Sequence, residues 1–129
     1  MSDRVDHLIR RISDDPDKLH SDRTPAAAAL EEIGLPALGP VLDLMRSSDP
    51  MTRLRAQRVV EGITMRHLGF RPGHGWDDPE DAQSWRRLWE ERGDLDWQAP
   101  DAAREESVAM WKRWLPGQAS QRDTSSREP

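Results

Sequence analysis

Between Arg53 and Arg71 the chain places five arginines against a single acid, Glu61. That stretch carries a local charge of +4, and because the whole chain sums to −5 the remainder carries −9. At about 100° per residue, Arg55, Arg58 and Arg66 fall within about 80° of one another on a helix, with Gly62 between them and Met51 and Met65 alongside. A planar guanidinium grips a carboxylate through two parallel hydrogen bonds. The pattern points to charge-steered docking of an acidic partner.

Other chemistry-bearing residues are sparse. His67, His74, Asp77 and Asp78 are capable of holding a metal, but their spacing matches no known ligand set, and no metal is expected. His7 and His20 belong to no pattern. Gly73 and Gly75 flank a histidine without the strand–helix context of a phosphate loop. No spacing suggests a Ser–His–Asp arrangement, and cysteine is absent, which excludes disulfides and thiolate sites. Paired acids such as Asp14-Asp15 and Glu105-Glu106 sit at helix ends or on polar faces; Glu31-Glu32 differs in lying near a helix C-terminus, at a small cost against the dipole. The expectation is therefore a protein that is not an enzyme, with no catalytic residue and no cofactor.

Six tryptophans fall between residues 76 and 114. Trp85 and Trp89 are four apart beside Leu88; Trp111 and Trp114 are three apart beside Met110 and Leu115. Facing pairs of this kind would lock two short helices together, since each indole buries about 150–250 Å². Trp76 and Trp97 lie in loops and are the indoles expected to be exposed for a partner.

The elements that must position these groups are read from period and punctuation. A first helix is expected over about 3–13, with Val5, Leu8, Ile9 and Ile12 on one face, followed by a polar connection over 13–22. Thr24-Pro25, Asp49-Pro50 and Asp78-Pro79 each give a capping residue followed by proline at the first helical position. They open helices ending near Gly34, Gly69 and Gly93. A third helix over 35–46 contains Pro40, where a late start or a bend is expected. Residues 70–78 form a loop. A last helix starts near Pro100-Asp101 and is expected to stop at Pro116-Gly117, leaving 116–129 as a disordered tail. The chain of 129 residues is 35% apolar and 33% charged, with one Phe and no Tyr, which favours helix throughout.

Residues 5–33 repeat thirty positions later without a gap. Val5, Leu8, Ile12, Arg23, Ala26, Leu30, Glu31 and Ile33 coincide with Leu35, Leu38, Leu42, Arg53, Ala56, Val60, Glu61 and Ile63. A fixed period in this range marks stacked units, each too small to bury its own apolar face. The stretches IGLPALGPVLDLMRSSDPMTRLRAQRVVEGI (33–63) and LIRRISDDPDKLHSDRTPAAAALEEIG (8–34) resemble HEAT repeats, most nearly the short bacterial phycobilin-lyase-like kind. Arg23-Ala26-Leu30-Ile33 and Arg53-Ala56-Val60-Ile63 fit the second-helix pattern of that family. Asp17 matches its usual Asp six residues before the Arg, whereas Ser47 stands there in the second unit. The stretch 96–115 is similar to a Trp-ending cap found after such repeats, through Arg104, Trp111 and Trp114.

The resemblance implies an all-α fold: a short right-handed alpha solenoid of two HEAT-like helix pairs, 3–34 and 35–69. A Trp-rich C-terminal pair over 79–115 would complete a single domain spanning 1–115. It implies a non-enzymatic protein–protein interaction module whose concave face, lined by second helices, meets an acidic or helical partner. The partner-binding set is then Arg55, Arg58, Arg66, Met51, Met65, Trp76 and Trp97. A bilin lyase or chaperone-like subunit is the alternative, and a HEAT-like DNA glycosylase a weaker one. Net acidity argues against a nucleic-acid partner, because such binding draws on counterion release by basic residues. Five charged residues within MSDRVDHLIRRI and the lack of any long apolar run suggest neither a signal peptide nor a membrane partner, and a cytoplasmic location.

Overall fold

The computed structural model describes the backbone of residues 2–127 and the side chains of residues 3–115. Six helices account for it: α1 Ser2–Arg10, α2 Pro25–Ile33, α3 Leu35–Leu44, α4 Pro50–His67, α5 Pro79–Glu91 and α6 Asp101–Arg127. Among the described residues the only extended pairing is an isolated bridge between Arg71 and Gly75. The fold is all-helical. No described helix is long and apolar enough to cross a membrane.

All three cap-plus-proline signals start helices. The Thr24 hydroxyl accepts from Ala27 N–H at 3.1 Å and donates to the Ile12 carbonyl at 2.7 Å, so one side chain caps α2 and ties it to the end of the α1 segment. The Asp49 carboxylate accepts the Thr52 hydroxyl at 2.7 Å and backbone N–H groups of Met51 and Thr52, which hold it below the usual carboxylate range. The Asp78 carboxylate accepts Glu80 N–H at 2.9 Å. Gly34 sits at φ 84°, a left-handed conformation that glycine adopts without strain, and turns α2 directly into α3.

Two boundaries differ from expectation. α1 ends at Arg10, and Ile12 enters the core from the turn that follows. The helix had been expected to continue to residue 13, but the polar Ser-Asp-Asp run peels the chain away toward α2. The last helix passes Pro116 and Gly117 and continues to Arg127. A proline inside a helix removes one ladder bond and bends the axis without having to end it. Side chains of the expected tail, 116–129, lie outside the described residues, as does all of 128–129. Pro40 likewise sits inside a continuous α3.

Helices thirty positions apart in the repeat pack on one another. α1 lies on α3 and α2 on α4, while each pair also packs within itself. Of the repeat positions, Leu30, Leu38, Leu42, Val60 and Ile63 are at most 1% exposed, while Leu8, Ile33 and Leu35 pack against the same core partly buried. Each fully buried side chain contributes about 1.5–3 kcal/mol on burial. α6 packs on α3 and is pinned there by the buried Arg104, whose Nη1 donates to the Met45 carbonyl at 2.6 Å and whose Nε donates to the Ala99 carbonyl at 3.1 Å. Arg46–Glu105 and Lys112–Asp43 ion pairs flank that anchor.

The indoles form an arc that closes on α4. Ring centroids follow one another at 5.4 Å (Trp85–Trp89), 5.5 Å (Trp89–Trp111), 5.5 Å (Trp111–Trp114) and 5.8 Å (Trp114–His67). At its start, Trp85 Nε1 donates to the Thr64 hydroxyl at 2.8 Å. Thr64 and His67 are one turn apart on α4, so the arc leaves that helix and returns to it. Trp111, at its centre, is fully buried. Trp111→Ala should cost about 3–5 kcal/mol in urea denaturation, whereas Trp85→Phe, which keeps a ring but loses the N–H donor, should cost about 1 kcal/mol, chiefly through the lost hydrogen bond. Equal costs for the two would mean that the arc does not hold α5 and α6 in place.

Candidate functional site

α2 and α4, the second helices of the two repeated units, enclose a cleft of about 560 Å³ that is closed at one end by the 70–73 loop. Ala27, Ala28, Met65, Phe70 and Pro72 supply its apolar surface. Charge comes from Asp22, Arg23, Glu31, Arg58, Glu61 and Arg66. The cleft is thus amphipathic, with acids and guanidiniums in equal number.

Its charges are not equally committed. Arg58 bridges Asp22 and Glu61, each at 3.0 Å, across the cleft mouth. Burial works against its charge, but Glu61 and Asp22 outweigh that and raise the guanidinium above its ordinary value. Glu61 also accepts Gln57 Nε2 at 3.0 Å, and Gln57 Oε1 accepts Trp97 N–H at 2.7 Å. A relay therefore runs from the cleft to the loop before α6. Arg23 and Arg66 are different: among the described residues neither side chain makes an ion pair or hydrogen bond.

Glu31 occupies the cleft floor. Its carboxylate lies directly over Gly62, where a Cβ would overlap Oε1. The glycine that interrupts the arginine stripe is thus a seat for an acid from the neighbouring helix. Glu31 has no hydrogen-bond or ion-pair partner among the described residues. Burial pushes its carboxyl above the ordinary value of 4.5; Arg66 and Arg23 pull the other way, and Glu61 adds to the rise. A half-buried carboxyl raised in this way, with no hydrogen bond to hold its ionised form, is a candidate functional acid.

The residues singled out from sequence are only partly brought together. Arg58, Met65 and Arg66 line the cleft; Arg55, Met51, Trp76 and Trp97 do not. Arg55 is 7% exposed and its Nε donates to the Ser21 carbonyl at 2.9 Å, which removes it from any exposed stripe. Met51 is in the first turn of α4, half-buried. Trp76 packs edge-on against Phe70 at 5.4 Å and so backs the cleft without entering it. Trp97 is half-buried against the core and held at both backbone ends, its carbonyl accepting Arg53 Nε at 3.0 Å. It is a clamp on α4 rather than an exposed indole.

Asp22, Arg23, Glu31 and Gly62 were not anticipated as site residues. A signal existed for Glu31, which coincides with Glu61 in the repeat and lies against the dipole of α2. Asp17 accepts N–H groups of Leu19 and His20 at 2.8 and 3.1 Å, which lower its carboxyl, and its own N–H donates to the Arg23 carbonyl at 2.9 Å. In the 70–78 loop, Asp77 accepts Arg71 at 3.0 Å and contacts His74 Nε2 at 2.7 Å. No cluster of three metal-capable side chains is present among the described residues.

Compared with known protein families, curated proteins and solved structures, the chain matches none.

Because the Glu31 carboxyl is raised in the folded chain, its ionised form is a destabilising group. That destabilisation is complete above the folded value and disappears as pH falls toward the ordinary 4.5. Glu31→Gln should therefore stabilise the protein at neutral pH, with the advantage shrinking on acidification. Paired urea denaturation curves at several pH values test this; a pH-independent difference would show that burial does not govern Glu31.

Proposed function

We propose that the chain is a non-enzymatic, cytoplasmic protein-interaction module, a short right-handed HEAT-like solenoid whose α2–α4 cleft receives an acidic helical segment of a protein partner. The observation that carries this reading is the cleft itself. It lies between the second helices of the two units, where a solenoid presents its concave face, and Arg23 and Arg66 reach it without internal ion pairs. The packing of α1 on α3 and α2 on α4 supports the stacked arrangement.

An entering helix would set acids toward Arg23 and Arg66 and apolar side chains on Ala27, Ala28, Met65 and Phe70. The walls are preformed: Arg58, Asp22 and Glu61 brace the mouth, and the Trp97 loop braces α4 from behind. A surface already ordered before docking avoids part of the entropic cost of binding. Guanidiniums that make no internal hydrogen bond or close ion pair give the electrostatic complementarity that selects an acidic segment and speeds its encounter.

The test uses a capped synthetic peptide, helical, with glutamates on one face and leucines on the other. Calorimetry at low salt should detect binding that weakens as salt is added. Charge reversal at Arg23 and Arg66 together, which leaves the Arg58 brace intact, should weaken it by more than about 1 kcal/mol. Equal affinity for the double variant and the parent chain would remove the cleft from the account. Duplex DNA at low salt should show no binding, the outcome that separates this reading from a DNA-directed one.

A further inference from the structure

We propose that the α2–α4 cleft takes up its acidic partner together with one proton, which Glu31 holds. This rests on the docking reading above and adds its regulation. The geometry that points to it is the seat on Gly62: a carboxylate from α2 lies in the very cleft proposed to receive acids, between Arg23 and Arg66, with no hydrogen-bond partner among the described residues. The charged groups around it are Asp22 and Arg23 from the segment before α2 and Arg58, Glu61 and Arg66 from α4. The loop at the closed end contributes Phe70, Pro72 and Gly73, and no charged side chain of α1 or α3 lines the cleft. Glu32, next along α2, is exposed.

In the free protein Arg66 and Arg23 partly offset the burial that raises the Glu31 carboxyl. A docked acidic segment takes both guanidiniums for its own carboxylates, excludes remaining water and adds negative charge. All three changes penalise ionised Glu31. A proton from solvent removes the penalty and lets Glu31 O–H donate to an incoming carboxylate oxygen. Binding then draws in a proton wherever pH lies between the free and the bound values. Affinity therefore falls as pH rises through that window.

The experiment measures binding of the same glutamate–leucine peptide to the full chain by calorimetry, in buffers of different ionisation enthalpy, from about pH 5.5 to 7, above the ordinary glutamate range. The parent chain should take up close to one proton per complex within the window, with affinity weakening by up to about tenfold per pH unit. Glu31→Gln should take up none and lose that slope. Gly62→Ala, whose new Cβ forces the carboxylate off its seat into water, should bring Glu31 titration back to the ordinary glutamate range in carboxyl-carbon NMR of the free protein. Binding without proton uptake, or uptake unchanged in Glu31→Gln, overturns this inference alone. A parent chain that binds no peptide overturns the docking reading and this inference with it.

Discussion

Helix α4 is held on several sides at once, and the rest of the molecule is arranged around that fact. Val59, Val60 and Ile63 are at most 1% exposed, packed into a core shared with α2 and α3. Its hydroxyl at Thr64 anchors one end of the indole arc, and His67 receives the other. Gln57 and Arg53 hold the loop that leads into α6. A helix with so few free sides cannot slide or rotate without breaking these part-buried hydrogen bonds, each a net contribution of about 0.5–1.5 kcal/mol. Rigidity in the cleft wall follows from that, since the wall is α4.

The same crowding decides what the arginines do. Of the five between Arg53 and Arg71, Arg53 and Arg55 donate to main-chain carbonyls, Arg58 bridges two acids, and Arg71 pairs with Asp77. These contacts are mostly devices for ending loops and fastening them to α4. Only Arg66 keeps its charge for the cleft, joined there by Arg23 from outside the stretch. Counting basic residues along the chain therefore overstates the positive surface. A guanidinium has five donors, and orphaned carbonyls at loop ends compete for them with any external partner.

The tryptophans show a parallel division of labour. Trp85, Trp89, Trp111 and Trp114 fasten α5 and α6 to the stack, as their helical spacing suggests. Trp97, placed in a loop and for that reason expected outside, is drawn in by two hydrogen bonds from α4 to its backbone. Whether a loop residue is exposed depends on what its backbone finds to bond with, and those partners are forty or more positions away.

Local chemistry was enough to place most helix starts, though not the ends of α1 and α6. Thr24-Pro25, Asp49-Pro50 and Asp78-Pro79 open three helices, Gly34 turns one pair, and a thirty-residue period marks apolar positions of α2, α3 and α4 that lie in the core. Such features act over a few residues, or over a periodicity, and so can be read along a line. The cleft could not be read that way. Its floor joins Glu31 to Gly62 and its mouth joins Asp22 to Arg58, pairs made neighbours only by the laying of α2 on α4. Burial, which raises the Glu31 carboxyl and takes Arg55 out of the surface, belongs to the packed assembly of helices and to no segment of it.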